Sequence, residues 1–266
     1  MTRRTISSLA VALSLVASAA AAQTTGQKPF EPQVGQAGKD VVWVPTPQAV
    51  VDQMLDMAKV TKADFVMDLG SGDGRTVITA AKRGARAMGI EYNPDMVELS
   101  VRNAKEAGVA DRATFVKADL FETDLSKAQV ITMFLLPSIN LKLRPQILNL
   151  RPGTRIVSNT FTMDDWEADE TERVEGDCSA WCTALLWIVP AKVDGTWKLG
   201  NQQLVLKQRF QMLTGSLGGA DVSTGRLRGN EITFTVGNAV YSGRVEGNAI
   251  KGSIKGGSGG TFVATR

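Results

Sequence analysis

Residues 66–74 read Val-Met-Asp-Leu-Gly-Ser-Gly-Asp-Gly. A short apolar strand ends here, with Asp68 at its close and glycines at 70, 72 and 74. Alternating glycines let the chain turn tightly and leave backbone N–H groups open to a close ligand. Residues 76–85 then carry a helical pattern, so the unit is strand, Gly-rich turn, helix. The dinucleotide fingerprint needs glycine at its first, third and sixth places, but counting from Gly70 the sixth is Arg75. A phosphate loop needs Gly-Lys-Ser/Thr, which is absent. An acid just before the glycines repels a pyrophosphate and suits a cationic ligand.

The pattern Asp-x-Gly-x-Gly-x-Gly over 68–74 resembles motif I of the class I S-adenosylmethionine-dependent methyltransferases, whose cofactor carries a sulfonium and an ammonium group. The resemblance implies an α/β fold with a Rossmann-like, doubly wound, seven-stranded sheet. It also implies S-adenosyl-L-methionine held by Asp68, Gly70, Ser71, Gly72, Asp73 and Gly74. Three more segments fall where that family places them. Residues 87–91 form a second strand ending in Glu91, suited to the ribose hydroxyls, and Asn93-Pro94 then opens a helix as cap and first-turn proline. Residues 113–119 form a third strand ending in Asp119, which in the family contacts the adenine amino group, with Leu120 beside the ring. Residues 129–136 form a fourth strand running into Pro137, so that Phe134, Leu135, Leu136 and Pro137 line the reaction centre. One such acid alone is most simply a helix cap or a solvated loop carboxylate. Three at successive strand ends favour the cofactor reading.

The segment Trp43-Val-Pro-Thr-Pro47 precedes a helix whose apolar face is Val50, Val51, Met54, Leu55 and Ala58. Thr46 is its expected cap, with Pro47 in the first turn. This segment, Asp-Leu-Gly-x-Gly-Asp-Gly-Arg and an aromatic-rich stretch after the fifth strand resemble a group of small protein-lysine methyltransferases. In that group the leading segment helps cover the cofactor, which adds Thr46 to the candidate cofactor site.

The chain has 266 residues, no histidine and a formal net charge of +3. That length holds a full core plus a small second module. The lack of histidine excludes His-based triads, His metal sites and a His general base, and no metal site is expected. Arg3 and Arg4, an apolar run over 6–16 and Ala20-Ala21-Ala22 before Gln23 read as a bacterial secretory signal over 1–22, so export to the periplasm is expected. The run is too short for a good membrane anchor, and no other segment is apolar enough to span a bilayer.

Residues 23–42 are polar, with Gly and Pro and no period, and read as a flexible leader. The methyltransferase-like domain is expected over 43–200. Its fifth strand is 154–159, and 184–189 with 196–199 read as a hairpin forming the last two strands of the sheet. The loop 160–177 contains Trp166 and eight acids against one base, Arg173. It reads either as a solvated charged loop or as an acidic rim that attracts a cationic substrate. Cys178 and Cys182 either pair or remain two buried thiols. Four residues of extended strand span about 13 Å, so a bridge requires a bend over 179–181.

Beyond residue 200 the chain is Gly-rich, with short alternating strands and Gly-Asn at 229–230 and 247–248. An antiparallel β module over 201–266 is expected, as a half-barrel or an added sheet, with Phe210, Leu213, Phe234, Val240 and Phe262 as its apolar face. Residues 23–190 carry 18 basic and 23 acidic residues, whereas 191–266 carry 10 and 4. No basic stripe with interleaved aromatics occurs, so nucleic acid is not an expected partner. Three functions remain open: methylation of a protein, with lysine as one acceptor; methylation of a small molecule; and non-catalytic binding by an exported protein that keeps the fold.

Overall fold

The apolar run that decides the fold becomes β1 (Phe65–Leu69), buried at four of its five positions. In the computed structural model, which describes Met1, residues 30–176 and residues 178–266, β1 lies in the middle of a seven-stranded sheet. The expected signal segment lies outside the described residues, apart from Met1. β2 (Arg86–Glu91), β3 (Ala113–Lys117), β4 (Val130–Met133) and β5 (Arg155–Asn159) continue the sheet in parallel. The order is β3-β2-β1-β4-β5-β7-β6, in which β6 (Glu170–Arg173) and β7 (Thr183–Ile188) form an antiparallel edge. The chain winds one way from β1 to β3 and the other way from β4. Such a reversal opens a crevice at the carboxyl ends of β1 and β4.

The helices α1 (Gln48–Met57), α2 (Arg75–Lys82), α3 (Pro94–Glu106) and α4 (Pro137–Ile147) alternate with the strands. Strand side chains point to opposite faces in turn. Val66, Val130 and Val157 accordingly join Val50, Leu55 and Val77 in one cluster. Met67, Leu69, Ile131 and Ile156 join Leu143 and Trp187 in the other. Asn93 accepts from the Asp95 N–H at 2.9 Å with Pro94 next, as the sequence predicts. Thr46 does not cap α1: Pro47 holds the N-cap position and no side chain caps it.

Residues 30–42, expected as part of a flexible leader, instead make a small hairpin. The Gly35 N–H donates to the Trp43 carbonyl at 2.8 Å, the Trp43 N–H donates to Gln36 at 2.9 Å, and Ala37 bridges Val42.

The C-terminal module is the expected antiparallel meander, but it closes fully. β8 (Gly195–Leu199), β9 (Gln202–Arg209), β10 (Met212–Leu217), β11 (Ala220–Arg228), β12 (Glu231–Val236), β13 (Ala239–Glu246), β14 (Ala249–Lys255) and β15 (Gly260–Thr265) form a closed barrel. β15 returns to pair with β8, which leaves no sheet edge exposed. Gly229-Asn230 and Gly247-Asn248 are two-residue hairpin turns. The expected hairpin of 184–189 with 196–199 is therefore split: β7 belongs to the sheet and β8 to the barrel, and β6 supplies the sheet's last edge. The change of architecture falls between β7 and β8 rather than at residue 200. Trp197, Phe234, Leu213 and Phe262 fill the barrel interior, Val240 is only half-buried, and Phe210 leaves the barrel to pack on Trp166.

Ion pairs dock the barrel on the sheet. Arg226 reaches Asp169 at 2.7 Å, Arg209 reaches Asp165 at 2.9 Å, and Arg228 pairs with Glu170. Asp169 has no exposed side-chain surface and also accepts the Ile188 N–H at 2.8 Å. Three of the eight acids of the predicted rim thus dock the barrel, and the charge asymmetry of the two halves is partly neutralised across them.

Candidate functional site

One cleft opens at the carboxyl ends of β1, β2 and β4, and the hairpin 30–42 walls one side of it. Thr46, Asp68, Gly70, Ser71, Gly72, Asp73, Glu91, Asp119, Leu120, Phe134 and Leu135 all line it. Gly74, Leu136, Pro137 and Trp166 do not. Gly74 faces Phe115 and Ser100, where a Cβ would come within 2.8 and 2.9 Å. Leu136 and Pro137 lie on the outer surface where α4 begins. Trp166 is fully buried between Trp187 and Phe210, so it is a packing residue of the barrel junction and not a wall of the reaction centre.

The glycine turn is held from several sides. Gly72 has φ +54°, and a Cβ on it would lie 2.7 Å from the Trp43 indole nitrogen, so only glycine admits this approach of the leader. The Gly72 N–H donates to Glu91 at 3.0 Å, and Ser100 donates to the Gly72 carbonyl at 2.8 Å. Arg75 grips Asp73 with two nitrogens, at 3.1 and 2.6 Å, and donates to the Thr46 carbonyl at 2.9 Å. That pair ties the turn to the start of α1. Gly89, inside β2, is needed as well, since a Cβ there would meet the Ser71 Oγ at 2.4 Å. A glycine within a strand is the sequence signal of such a close approach, and it adds Gly89 to the residues that shape the site.

Five carboxylates, Asp40, Asp68, Asp73, Glu91 and Asp119, line the cleft. Glu91 also accepts the Asn93 N–H at 2.9 Å, which fixes its orientation. Asp68 is buried, with Thr132 donating to it at 2.5 Å. Burial pushes the Asp68 carboxyl up to about 7; the neighbouring charges of Asp73 and Glu91 add to the rise, and the Thr132 hydrogen bond opposes it. Asp119 pairs with Lys39 at 2.6 Å, and this hydrogen bond holds its carboxyl below the ordinary carboxylate range, with the Phe121 N–H assisting. Lys39 also lies over the Tyr92 ring, 4.7 Å from its centroid. Nothing local in the sequence foretells a contact between residues 39 and 119.

The donor set suits a ligand with positive charge and hydroxyl donors. The cleft is acidic, Glu91 presents a fixed carboxylate, and the Ser71 Oγ is buried without a partner in the protein. These features fit S-adenosylmethionine.

Beyond the cleft, Phe134 stacks on Phe161 with centroids 5.8 Å apart and meets Trp181 edge-on at 6.0 Å. Cys178 and Cys182 are joined by a disulfide across a bend, with their Cα atoms 5.7 Å apart.

Residues 68–170 match the family described as the ANTKMT methyltransferase domain. A protein-lysine N-methyltransferase of Saccharolobus islandicus is 46% identical over 138 residues, which cover 51% of this chain and 86% of that protein. An adenine nucleotide translocase lysine N-methyltransferase of Mus musculus is 36% identical over 104 residues; these cover 38% of this chain and only 45% of that protein. A crystal structure described as an RNA methyltransferase from Salinibacter ruber, in complex with S-adenosyl-L-homocysteine, superposes with a TM-score of 0.53 at 51% identity. The match covers 56% of this chain and 96% of that one.

Proposed function

Because the chain belongs to the class I S-adenosylmethionine-dependent methyltransferases, among those related to protein-lysine methyltransferases, we propose that it methylates the side-chain amine of a lysine in a protein. The observation that carries this reading is the convergence of Asp68, Glu91 and Asp119 on one cleft, with Phe134 and Leu135 beside it.

S-adenosylmethionine, when bound, supplies an activated methyl group. Glu91 would hold the ribose hydroxyls, Asp68 the cofactor ammonium, and Asp119 with Leu120 the adenine. Phe134 and Leu135 keep water from the reacting atoms. Displacement at a methyl carbon needs alignment and proximity more than covalent help from the protein, so the absence of histidine is no obstacle. The acceptor amine must lose its ammonium proton before it attacks, and water or a carboxylate can take it.

A protein amine fits better than RNA. The cations that line the cleft, Lys39 and Arg75, are each paired with a carboxylate, and a phosphate backbone would have to displace those partners. The disulfide and the N-terminal pattern together support an exported, periplasmic protein.

The test is incubation of the full chain with methyl-labelled cofactor and lysine-rich proteins and peptides, read by mass spectrometry. Label on a lysine amine is expected. Cofactor binding with label only on small amines would overturn the lysine reading. No cofactor binding at all would leave a non-catalytic fold.

A further inference from the structure

Trp181 is an exposed aromatic held in an unusual way. Its side chain is 43% exposed, and its backbone has φ +53°, a conformation that bulky side chains avoid. The disulfide Cys178–Cys182 closes the short segment that carries it. Strain of this kind persists only where surrounding structure enforces it, and it concentrates at sites that bind. Trp181 is not part of the buried core; the ring it meets is Phe134, edge-on at 6.0 Å.

Its geometry supplies a use. Phe134 lines the cleft, Phe161 lies nearly parallel to it at 17° between planes, and Trp181 stands across Phe134 at 60°. Two parallel rings and one crossed ring make a corner of π faces and edges. Aromatic faces attract ammonium groups by their quadrupole, and Trp does so best. Two buried side chains near Phe161 in the chain or bonded to it carry a polar atom without a partner. Asn140 donates from Nδ2 to the carbonyls of Phe161 and Thr162, at 3.2 and 3.1 Å, while its Oδ1 has no donor. Asn159, two residues before Phe161, has an unpaired Nδ2. Buried amide groups normally find partners, and both of these side chains are wholly enclosed by the protein.

We propose that Phe134, Phe161 and Trp181 form the recognition corner for the acceptor's ammonium head group, with the Cys178–Cys182 disulfide positioning Trp181 across it. The proposal rests on the lysine reading above for the identity of the acceptor, and the corner itself can be tested without turnover.

The experiment titrates the full chain, saturated with S-adenosylhomocysteine, with Nα-acetyl-Nε-trimethyl-lysine amide. The control is the neutral isostere in which carbon replaces the charged nitrogen. The charged probe should bind at least about fivefold more tightly. Trp181→Leu should abolish that preference, and Trp181→Phe should retain part of it. The double variant Cys178→Ser/Cys182→Ser should weaken the charged probe and raise KM for a lysine peptide, with kcat and cofactor affinity within about twofold of the parent. Equal binding of the two probes, or an unchanged preference in Trp181→Leu, would overturn the corner. A Cys variant that loses kcat while keeping KM and probe affinity would overturn the positioning role. A parent chain that binds the charged probe selectively but methylates no lysine overturns the proposed function and leaves the corner standing.

Discussion

The sheet and the barrel bury very different chemistry. Twelve polar or charged residues are buried among the described residues, and eleven of them, from Thr46 to Asn159, belong to the sheet half. The twelfth is Gln211, at the turn between β9 and β10. Its amide donates to the Glu167 carbonyl at 2.8 Å, so even that one serves the junction. Barrel interiors can hold ligands, but this one is filled by Trp197, Phe234, Phe262 and aliphatic side chains. Unpaired buried polar groups cost stability. Among the described residues the unpaired buried atoms, on Ser71, Asn140, Asn159 and Trp166, all lie in the sheet half and none in the barrel, and Ser71 is the one that lines the cleft. The barrel's arginines face the sheet's acids, which makes it a partner of the fold rather than of the ligand.

The contrast predicts separable losses. Glu91→Ala should weaken cofactor binding at least tenfold in a folded chain, because two charge-assisted hydrogen bonds of roughly 1.5–3 kcal/mol each would be lost. Calorimetric titration checks this, and unchanged affinity would remove Glu91 from the site. Asp169→Ala, next to the β6 edge, should lower stability by about 1–2 kcal/mol, since it leaves the Ile188 N–H without its acceptor and removes the Arg226 pair. Cofactor affinity should stay within about twofold, and a large fall would mean that the barrel completes the cleft.

The third prediction concerns pH. Asp68 titrates at about 7 in the ligand-free chain, and a cationic ligand needs it ionised. Affinity at pH 6 should therefore be about tenfold weaker than at pH 8, and Asp68→Asn should flatten the profile. The sign for stability is opposite. An acid whose carboxyl is raised on folding contributes stability below its unfolded pKa, and that contribution is lost as pH rises through about 7. Ligand-free Asp68→Asn should thus gain stability over the parent at pH 8 and not at pH 4, as denaturant midpoints would show. The smallest effect belongs to Lys39→Ala. Freeing Asp119 from a surface pair should change cofactor affinity by no more than about fivefold. A larger change would make the leader an essential wall of the site.

Much of the sheet half is legible in the sequence because its signals are local. A strand ending in an acid, followed by glycines or Asn-Pro, marks a strand end wherever it occurs, and this pattern finds Asp68, Glu91 and Asp119. Gly74 and Pro137 carry the same local signals but face away from the cleft, because motif membership does not say which way a residue points. Trp166 misleads for a different reason. Its burial depends on Phe210, which lies in another module, and no local pattern reports such a contact. β8 reads equally well as a sheet edge or a barrel strand, since alternation specifies a strand and not its partner. Asp165, Asp169 and Glu170 look free in the sequence because their barrel partners Arg209, Arg226 and Arg228 lie beyond residue 200.

The hairpin 30–42 has a kinetic consequence. It forms a wall of the cleft, so a ligand held against Gly72 and Asp119 is enclosed on that side by Trp43 and Lys39. A few local hydrogen bonds, the Lys39 pair, an Arg102 bond to the Phe30 carbonyl and the packing of Val41 fasten this wall, whereas each strand of the sheet is laddered to its neighbours. Segments tied this lightly open far more often than the whole domain unfolds. Escape of a ligand from the cleft would then be gated by the opening of the leader.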